Sequence, residues 1–412
     1  MAANHYDVVV IGSGALGASV AFHLAQAGRS VALVDKAAIA SQTSPRAAGL
    51  TGQVRRTEMM THLAVRSVEK LTRFTQETGE PLVYYQAGSL TVARTPEHAS
   101  MIRAGVQLGR HLGLDVDLVD VAAACELMPF MKPIDILAAG YMRTDLYLEP
   151  GQLPSGYARA THRLGGDLFP DTRVEQIVVQ RGRIERVVTT RGEFRTANVV
   201  DAAGGWLRLV ASFAGANLPA IPVRHQLMVT APLEGVTNEQ PTVRVLDANV
   251  YVRPDRGGLM FGGYESNPVM FDGNSLKPEQ RAEDLALDPV VLHRLADSVC
   301  DQFPVFGDAT IREYRGGLPT MTVDGDHILG PVPGVDGLFA LGGCNVGGLS
   351  ISPVLGELLA DWIVTGKSTM ELSRMAPARF LSDLPESDIV EQCRQKYANY
   401  YSASPAENVD PG

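Results

Sequence analysis

Near its start the chain reads Asp7-Val8-Val9-Val10-Ile11-Gly12-Ser13-Gly14-Ala15-Leu16-Gly17, and no other stretch restricts the fold as tightly. A β-branched run ends in a GxGxxG spacing, and an Ala-rich helical stretch from Ala15 to Ala27 follows and closes at Gly28. A second apolar run, Ser30 to Val34, ends in Asp35. In such a strand, helix, strand unit Gly12 permits a tight turn, Gly14 lets the backbone approach a pyrophosphate, and Gly17 lets helix and strand pack closely. The helix N-terminus supplies unpaired N–H groups and partial positive charge, and a carboxylate at the end of the second strand binds a ribose diol. A glycine turn without a ligand is the plainer alternative. The flanking elements and Asp35 favour a dinucleotide site instead, predicted to comprise Gly12, Ser13, Gly14, Ala15, Leu16, Gly17, Asp35 and Lys36.

The rest of the chain bounds what surrounds that unit. Its 412 residues suggest two closely joined domains, and a net charge of −10 argues for a small-molecule partner over nucleic acid or anionic lipid. Cys125, Cys300, Cys344 and Cys393 are far apart and form no CxxC pair, so reduced thiols and no metal site are expected. The apolar stretch from Val8 to Ala27 is broken by three glycines and has no basic leader before it. It therefore reads as neither signal peptide nor membrane span, and a cytoplasmic location is the expectation.

Two further apolar runs are followed by small residues: Asn198 to Asp201 by Ala202, Ala203 and Gly204, and Leu338 to Leu341 by Gly342 and Gly343. Between them, Gly88 to Ala93 and Arg224 to Thr230 look like strands, Pro96 to Leu112 like a helix, and Tyr251 to Tyr264 like a hairpin turning at Asp255 to Gly258. The predicted fold class is α/β: a discontinuous Rossmann-like domain with an inserted α+β, mostly antiparallel-sheet domain. The first takes 1–85, 146–218 and 320–370, the second 86–145 and 219–319. Residues 371–412 read as a polar C-terminal tail. Three glycine-bearing strand ends suit a long, buried FAD. At the third, Gly342 to Ser350 precedes a helix-like run from Leu355 to Ile363, so a second helix N-terminus would face the flavin.

Taken together, Val8 to Gly17, Val199-Val200-Asp201-Ala202-Ala203-Gly204-Gly205-Trp206, Thr322-Val323-Asp324-Gly325 with Gly330-Pro331, and the glycines around Asn345 resemble the D-amino-acid-oxidase-like flavoproteins. Pro222-Val223-Arg224-His225-Gln226, Tyr251-Val252-Arg253 and Gly258-Leu259-Met260-Phe261-Gly262 with Tyr264-Glu265 are similar to the flavin half of dimethylglycine and sarcosine dehydrogenases. The folate-binding half of those enzymes has no counterpart in these residues.

The resemblance implies FAD-dependent oxidation of a carbon–nitrogen bond in a secondary or tertiary amine, such as an N-methyl amino acid. Hydride leaves for flavin N5 and the imine then hydrolyses. A cyclic imino acid substrate and a non-catalytic flavin-fold regulatory subunit are the alternatives. It further implies an electron acceptor (oxygen, a quinone or an electron-transfer protein) and is compatible with partner subunits. Cofactor contacts are expected from Ser44, Arg46, Ala47, Ala48, Gly49, Leu50, Val174, Ala203, Gly204, Trp206, Gly343, Asn345, Val346, Gly347, Gly348, Leu349 and Ser350.

Where dimethylglycine-dehydrogenase-like loops carry a histidine bonded covalently to the flavin, Arg46 stands here. A guanidinium is a poor nucleophile, so noncovalent FAD is expected, with Arg46 against the flavin or the pyrophosphate. No lysine occupies Leu259 to Gly262, where fast-reacting oxidases place one, so slow reoxidation by oxygen is expected. The catalytic candidates are Tyr251 and His225. The substrate-binding candidates are Arg55, Arg56, Arg253 and Asn345; Pro319 stands where glycine oxidase-like members hold a carboxylate with an arginine, and Arg55 or Arg56 is the clamp the resemblance offers instead. Each also has a plain reading as a core aromatic, a satisfied histidine or a solvated charge.

Overall fold

A computed structural model of the chain describes residues 4–272, 275–380 and 384–402; the last part of the expected tail, 403–412, lies outside them. The β-branched runs form a six-stranded sheet in the order Ile328–Pro331, Leu338–Gly342, Val199–Asp201, Val8–Ile11, Val31–Val34, Asp167–Phe169. Its inner strands are parallel and Ile328–Pro331 is an antiparallel edge. Strands buried on both faces need continuous apolar sequence, and Val8 to Ile11 and Val31 to Val34 are buried throughout.

The helix Ala15–Gln26 packs on the helices Gly348–Thr365 and Gln152–Arg163 above this sheet. A methyl group at Gly17 would overlap the Gly12 carbonyl oxygen, and one at Gly12, where φ is +101°, would overlap the Ala202 carbonyl oxygen. The two glycines let helix, turn and neighbouring strand meet at backbone distance. Gly348–Thr365 is long and apolar enough by composition to cross a membrane, but most of it is buried against Ala15–Gln26 and Glu58–Thr72, as a core helix is.

The second large sheet has eight strands, Ile311–Gly317, His225–Thr230, Gly258–Gly263, Val250–Asp255, Thr242–Val245, Ser89–Ala93, Ala138–Met142 and Val116–Val119 in spatial order. All its pairings are antiparallel except that of Thr242–Val245 with Ser89–Ala93. The hairpin turns where the sequence suggested, Asp255 pairing with Gly258. Alternation divides its two faces. Met228, Val243, Val245, Val250, Val252, Leu259 and Phe261 point into one apolar core. Leu227, Val229 and Met260 point the other way, against Ala48 of the loop that follows the nucleotide unit.

The region beyond Arg374 differs from the polar tail expected. It contains a 13-residue helix, Glu386–Ala398, whose Ile389, Cys393 and Tyr397 are buried against Ala220–Pro222 and Thr320–Thr322. Apolar residues on one stripe of an otherwise charged helix suffice to dock it, which overall polarity hides. Cys125, Cys300, Cys344 and Cys393 form no disulfide among the described residues.

The closest helix contact gives the first prediction. A side chain at Gly356 would overlap Ser19 of the facing helix Ala15–Gln26. Gly356→Val should lower stability by about 1–3 kcal/mol through overpacking, read as a shift in the urea midpoint.

Candidate active site

Both helices of the nucleotide layer begin without a side-chain cap, at Gly14 and at Gly347. They start at the same, carboxyl edge of the parallel sheet, because each follows a strand of the same direction. Two sets of orphan N–H groups with partial positive charge therefore open on one crevice, the place where an α/β sheet binds an anionic ligand. The backbone at the second is strained, with Gly343, Asn345 and Val346 at φ of +56°, +42° and +63°. Strain of that kind persists where the surroundings over-determine it, as at binding sites.

The first loop is tied down by Asp35, whose carboxylate accepts from the Ser13 N–H and hydroxyl at 2.8 and 2.6 Å and from the Ala37 N–H at 2.9 Å. Burial pushes this carboxyl up, against the pull of those donors. The Ala15 N–H donates to the Ser44 hydroxyl at 3.0 Å, which brings the loop 43–50 to the helix N-terminus. Gly49, at φ +72°, lies against Leu148, and the Leu148 N–H donates to its carbonyl. Leu50 and Val346 share an apolar cluster with Ala48 and Tyr251. Leu16 and Leu349 pack against the core beneath the two helices, while Ala203 donates its N–H to Asp201. Gly204, at φ +58°, has open space where a side chain would stand. Uncapped helix starts, glycine turns and Asp35 make a fit for a dinucleotide such as FAD, with Gly12 to Gly17, Ala47 to Leu50 and Gly343 to Ser350 as the residues that would hold it.

Several expected cofactor or substrate contacts also have partners within the protein. The Arg46 guanidinium donates to the Ser41 and Gln42 carbonyls and pairs with Glu283 at 3.7 Å. Lys36 donates to the Pro278 and Gln280 carbonyls and stands 3.2 Å from the centre of the Trp206 ring, whose indole N–H bonds Lys277. Burial pulls the Lys36 ammonium down to about 7. Val174 has its side chain in the apolar core.

Asn345 accepts from the Thr322 N–H and donates to the Gly343 carbonyl at 2.8 Å, so it fastens the glycine loop. Arg253, 1% exposed, donates to the Ala48 carbonyl at 2.7 Å and pairs with Asp255, which also meets Arg256, Arg312 and Arg315. Through the Ala48 carbonyl it supports the cofactor loop, while its Nη2 is buried without a partner among the described residues. Arg56 donates to the Tyr400 carbonyl.

On the loop-facing side of the eight-stranded sheet, Tyr251 lies beside Arg244 on one neighbour and Gly262 on the other. The phenol occupies the space that any side chain at Gly262 would take. Its hydroxyl meets His225 Nε2 at 2.9 Å, and His225 Nδ1 meets the Tyr397 hydroxyl at 2.8 Å. The rings of Tyr264 and Tyr400 stack at 4.2 Å and enclose the group. This enclosure lowers the His225 pKa to about 4 and raises that of Tyr251, so both are neutral near pH 7.

Arg244 and Arg55 converge on Gly52. A Cβ there would lie 3.5 Å from Arg244 Nη2 and 4.0 Å from Arg55 Cζ. Arg55 donates to the Ser350 hydroxyl at 3.4 Å and Arg244 to the Thr51 carbonyl. Among the described residues neither arginine forms an ion pair, and Arg55 Nε is buried without a partner. Sequence reasoning missed Arg244, Tyr264 and Tyr397. The alternation Val243-Arg244-Val245 is the signal for the first, since it sets an arginine on the face opposite the apolar core.

The family model described as DAO, FAD dependent oxidoreductase, matches residues 7–362. The mitochondrial sarcosine dehydrogenase of Mus musculus is 29% identical over 405 residues, which cover 96% of this chain and 44% of that protein. The mitochondrial dimethylglycine dehydrogenase of Rattus norvegicus is 29% identical over 385 residues, covering 91% and 45%. The chain spans less than half the length of these relatives. The crystal structure of L-proline dehydrogenase from P. horikoshii superimposes with a TM-score of 0.83 at 23% identity, over 92% of this chain and 98% of that one. That likeness is one of fold.

Two measurements follow from the geometry. Gly14→Val puts a branched side chain where the backbone must meet the pyrophosphate, so the variant should purify without yellow colour while retaining its fold by circular dichroism. The second concerns acid. His327, whose Nδ1 faces the Gly343 carbonyl at 3.1 Å, is lowered by burial to about 4 from 6.5. A ring kept neutral by folding contributes its full stability above the unfolded value, and that contribution is lost as pH falls toward the folded value. Between pH 7.5 and 5.5, His327→Gln should therefore lose about 1 kcal/mol less stability than the parent chain, measured by urea unfolding.

Proposed function

Because the chain belongs to the family of FAD-dependent oxidoreductases, we propose that it oxidises the carbon–nitrogen bond of a secondary or tertiary amino acid, such as an N-methylated glycine. The observation that carries this is the pair of arginines without acidic partners, Arg55 and Arg244, beside the neutral Tyr251 and His225 on the face turned to the cofactor loop. Cations left unpaired in a partly buried site favour an anionic ligand, and a carboxylate matches the guanidinium fork. A buried phenol and imidazole, both uncharged, favour the neutral form of an amine brought against them.

FAD, when bound, supplies the hydride acceptor. The residues of the chain then have separate tasks. Arg55 and Arg244 hold the carboxylate, Tyr251 meets the nitrogen, and Tyr264 with Tyr400 keeps water from the reacting carbon. Arg46, bonded to Ser41 and Gln42, supports a noncovalent cofactor. The relatives named sarcosine and dimethylglycine dehydrogenases support the same substrate class.

The test is anaerobic mixing of the yellow protein with sarcosine, dimethylglycine, proline, glycine and dimethylamine while the flavin absorbance is followed. One or more of the N-substituted amino acids should bleach it and dimethylamine, which has no carboxylate, should not. Arg244→Gln should raise the half-saturating concentration roughly 10–100-fold, as expected for loss of about 1.5–3 kcal/mol from a charged hydrogen bond. Bleaching by no carboxylated amine, with FAD bound, sinks the proposal. Acid precipitation should leave all the flavin in the supernatant, and reoxidation in air should be slower than reduction by substrate.

A further inference from the structure

Tyr397 lies 172 residues from His225 in the chain, on a helix that the nucleotide fingerprint says nothing about, yet its hydroxyl reaches His225 Nδ1. It also donates to the Arg224 carbonyl at 3.4 Å. The three groups Tyr397, His225 and Tyr251 carry three exchangeable protons when the ring is neutral, and only two arrangements thread them through the two contacts.

In the first, Tyr397 donates to the Arg224 carbonyl, Nδ1–H donates to the Tyr397 oxygen, and the Tyr251 hydroxyl donates to Nε2. Every donor then has an acceptor in the protein. In the second, Tyr397 donates to Nδ1 and Nε2–H donates to the Tyr251 oxygen. The Tyr251 hydroxyl is then left without an acceptor among the described residues, in a side chain 2% exposed. A buried donor left unmatched is the costlier state, so the first arrangement prevails. Among the described residues no carboxylate lies against His225 to hold it charged: Tyr251, Tyr264 and Tyr397 face it, and nearby Glu265 pairs with Arg224 at 3.5 Å.

We propose that Tyr397 is a positioning residue that fixes His225 as the Nδ1–H tautomer and thereby presents Tyr251 to the substrate as a hydrogen-bond acceptor. With its proton committed to Nε2, the Tyr251 oxygen offers only lone pairs to the pocket. Within the proposed class it recognises the N–H of a secondary amine and disfavours a group that can only accept, a neutral tertiary amine included. This rests on the amine-oxidation reading for the identity of the ligand, whereas the tautomer itself does not.

The test uses the FAD-bound protein with 15N-labelled histidine. Among the nine histidines, His225 is assigned by the signals lost in His225→Gln. The parent should show a protonated Nδ1 and an unprotonated Nε2, and Tyr397→Phe should shift the population toward Nε2–H. In parallel, flavin absorbance reports the binding of sarcosine and of methoxyacetate, in which an ether oxygen replaces the N–H. Tyr397→Phe should lower the ratio of amine to ether affinity about tenfold, as befits one hydrogen bond reversed.

An Nε2–H tautomer or an imidazolium at His225 in the parent overturns the proposal, as does an unchanged affinity ratio in a folded variant. The tautomer is read without substrate and without the variant. A protein that no amine reduces but that shows Nδ1–H would therefore defeat the substrate class and leave the positioning role of Tyr397 standing.

Discussion

The contact on which the rest depends is the meeting of backbones at Gly12 and Gly17. With no side chain at either position, the helix Ala15–Gln26 lies directly on the turn after Val8–Ile11, and that turn lies directly on Ala202 after the neighbouring strand. The close approach has a consequence further along the chain. Ser19 of the same helix touches Gly356, so Gly348–Thr365 is drawn in parallel and its N-terminus arrives at the same edge of the sheet. Two helix N-termini, each starting at a glycine that offers no side-chain cap, are thereby fixed around one crevice. Their orphan N–H groups create a standing demand for a ligand with negative charge.

The second sheet answers that demand from the other side. Because side chains alternate along a strand, the hairpin sends its bulky apolar residues into one core and Tyr251, Arg253 and Gly262 toward the cofactor loop. Arg253 bonds the Ala48 carbonyl and is itself held by Asp255, which gathers three further arginines at the hairpin turn. Arg253 steadies the loop backbone, while Arg55 and Arg244 have no acidic partner among the described residues. One sheet face thus holds a supporting arginine and a ligand-seeking one, separated by what each has been given to pair with.

Much of the fold was legible from residue order. Glycines at 12, 14 and 17, the acidic end at Asp35, and the small residues after Asp201 and Leu341 each mark a local backbone requirement that a short segment states by itself. The hairpin at Asp255 to Gly258 was read from a segment of the same kind, whereas Tyr251 and His225 were candidates through the family resemblance. Arg46, Asn345 and Arg253 stand at or beside loops where a ligand is expected, and each also has a backbone carbonyl partner in the protein that residue order does not show.

What the sequence by itself determined is therefore the first nucleotide unit: its strands, its turn and its fitness for a dinucleotide follow from steric limits that act within about thirty residues. The tertiary structure alone decided the chemistry at the substrate. It brought Tyr397 to His225 and Arg244 to Arg55 across long stretches of chain, and it turned an apparently polar tail into a docked helix. Hydrogen-bond direction and charge pairing depend on which groups share a few cubic ångströms, and linear order carries no record of that until the sheets have closed on each other.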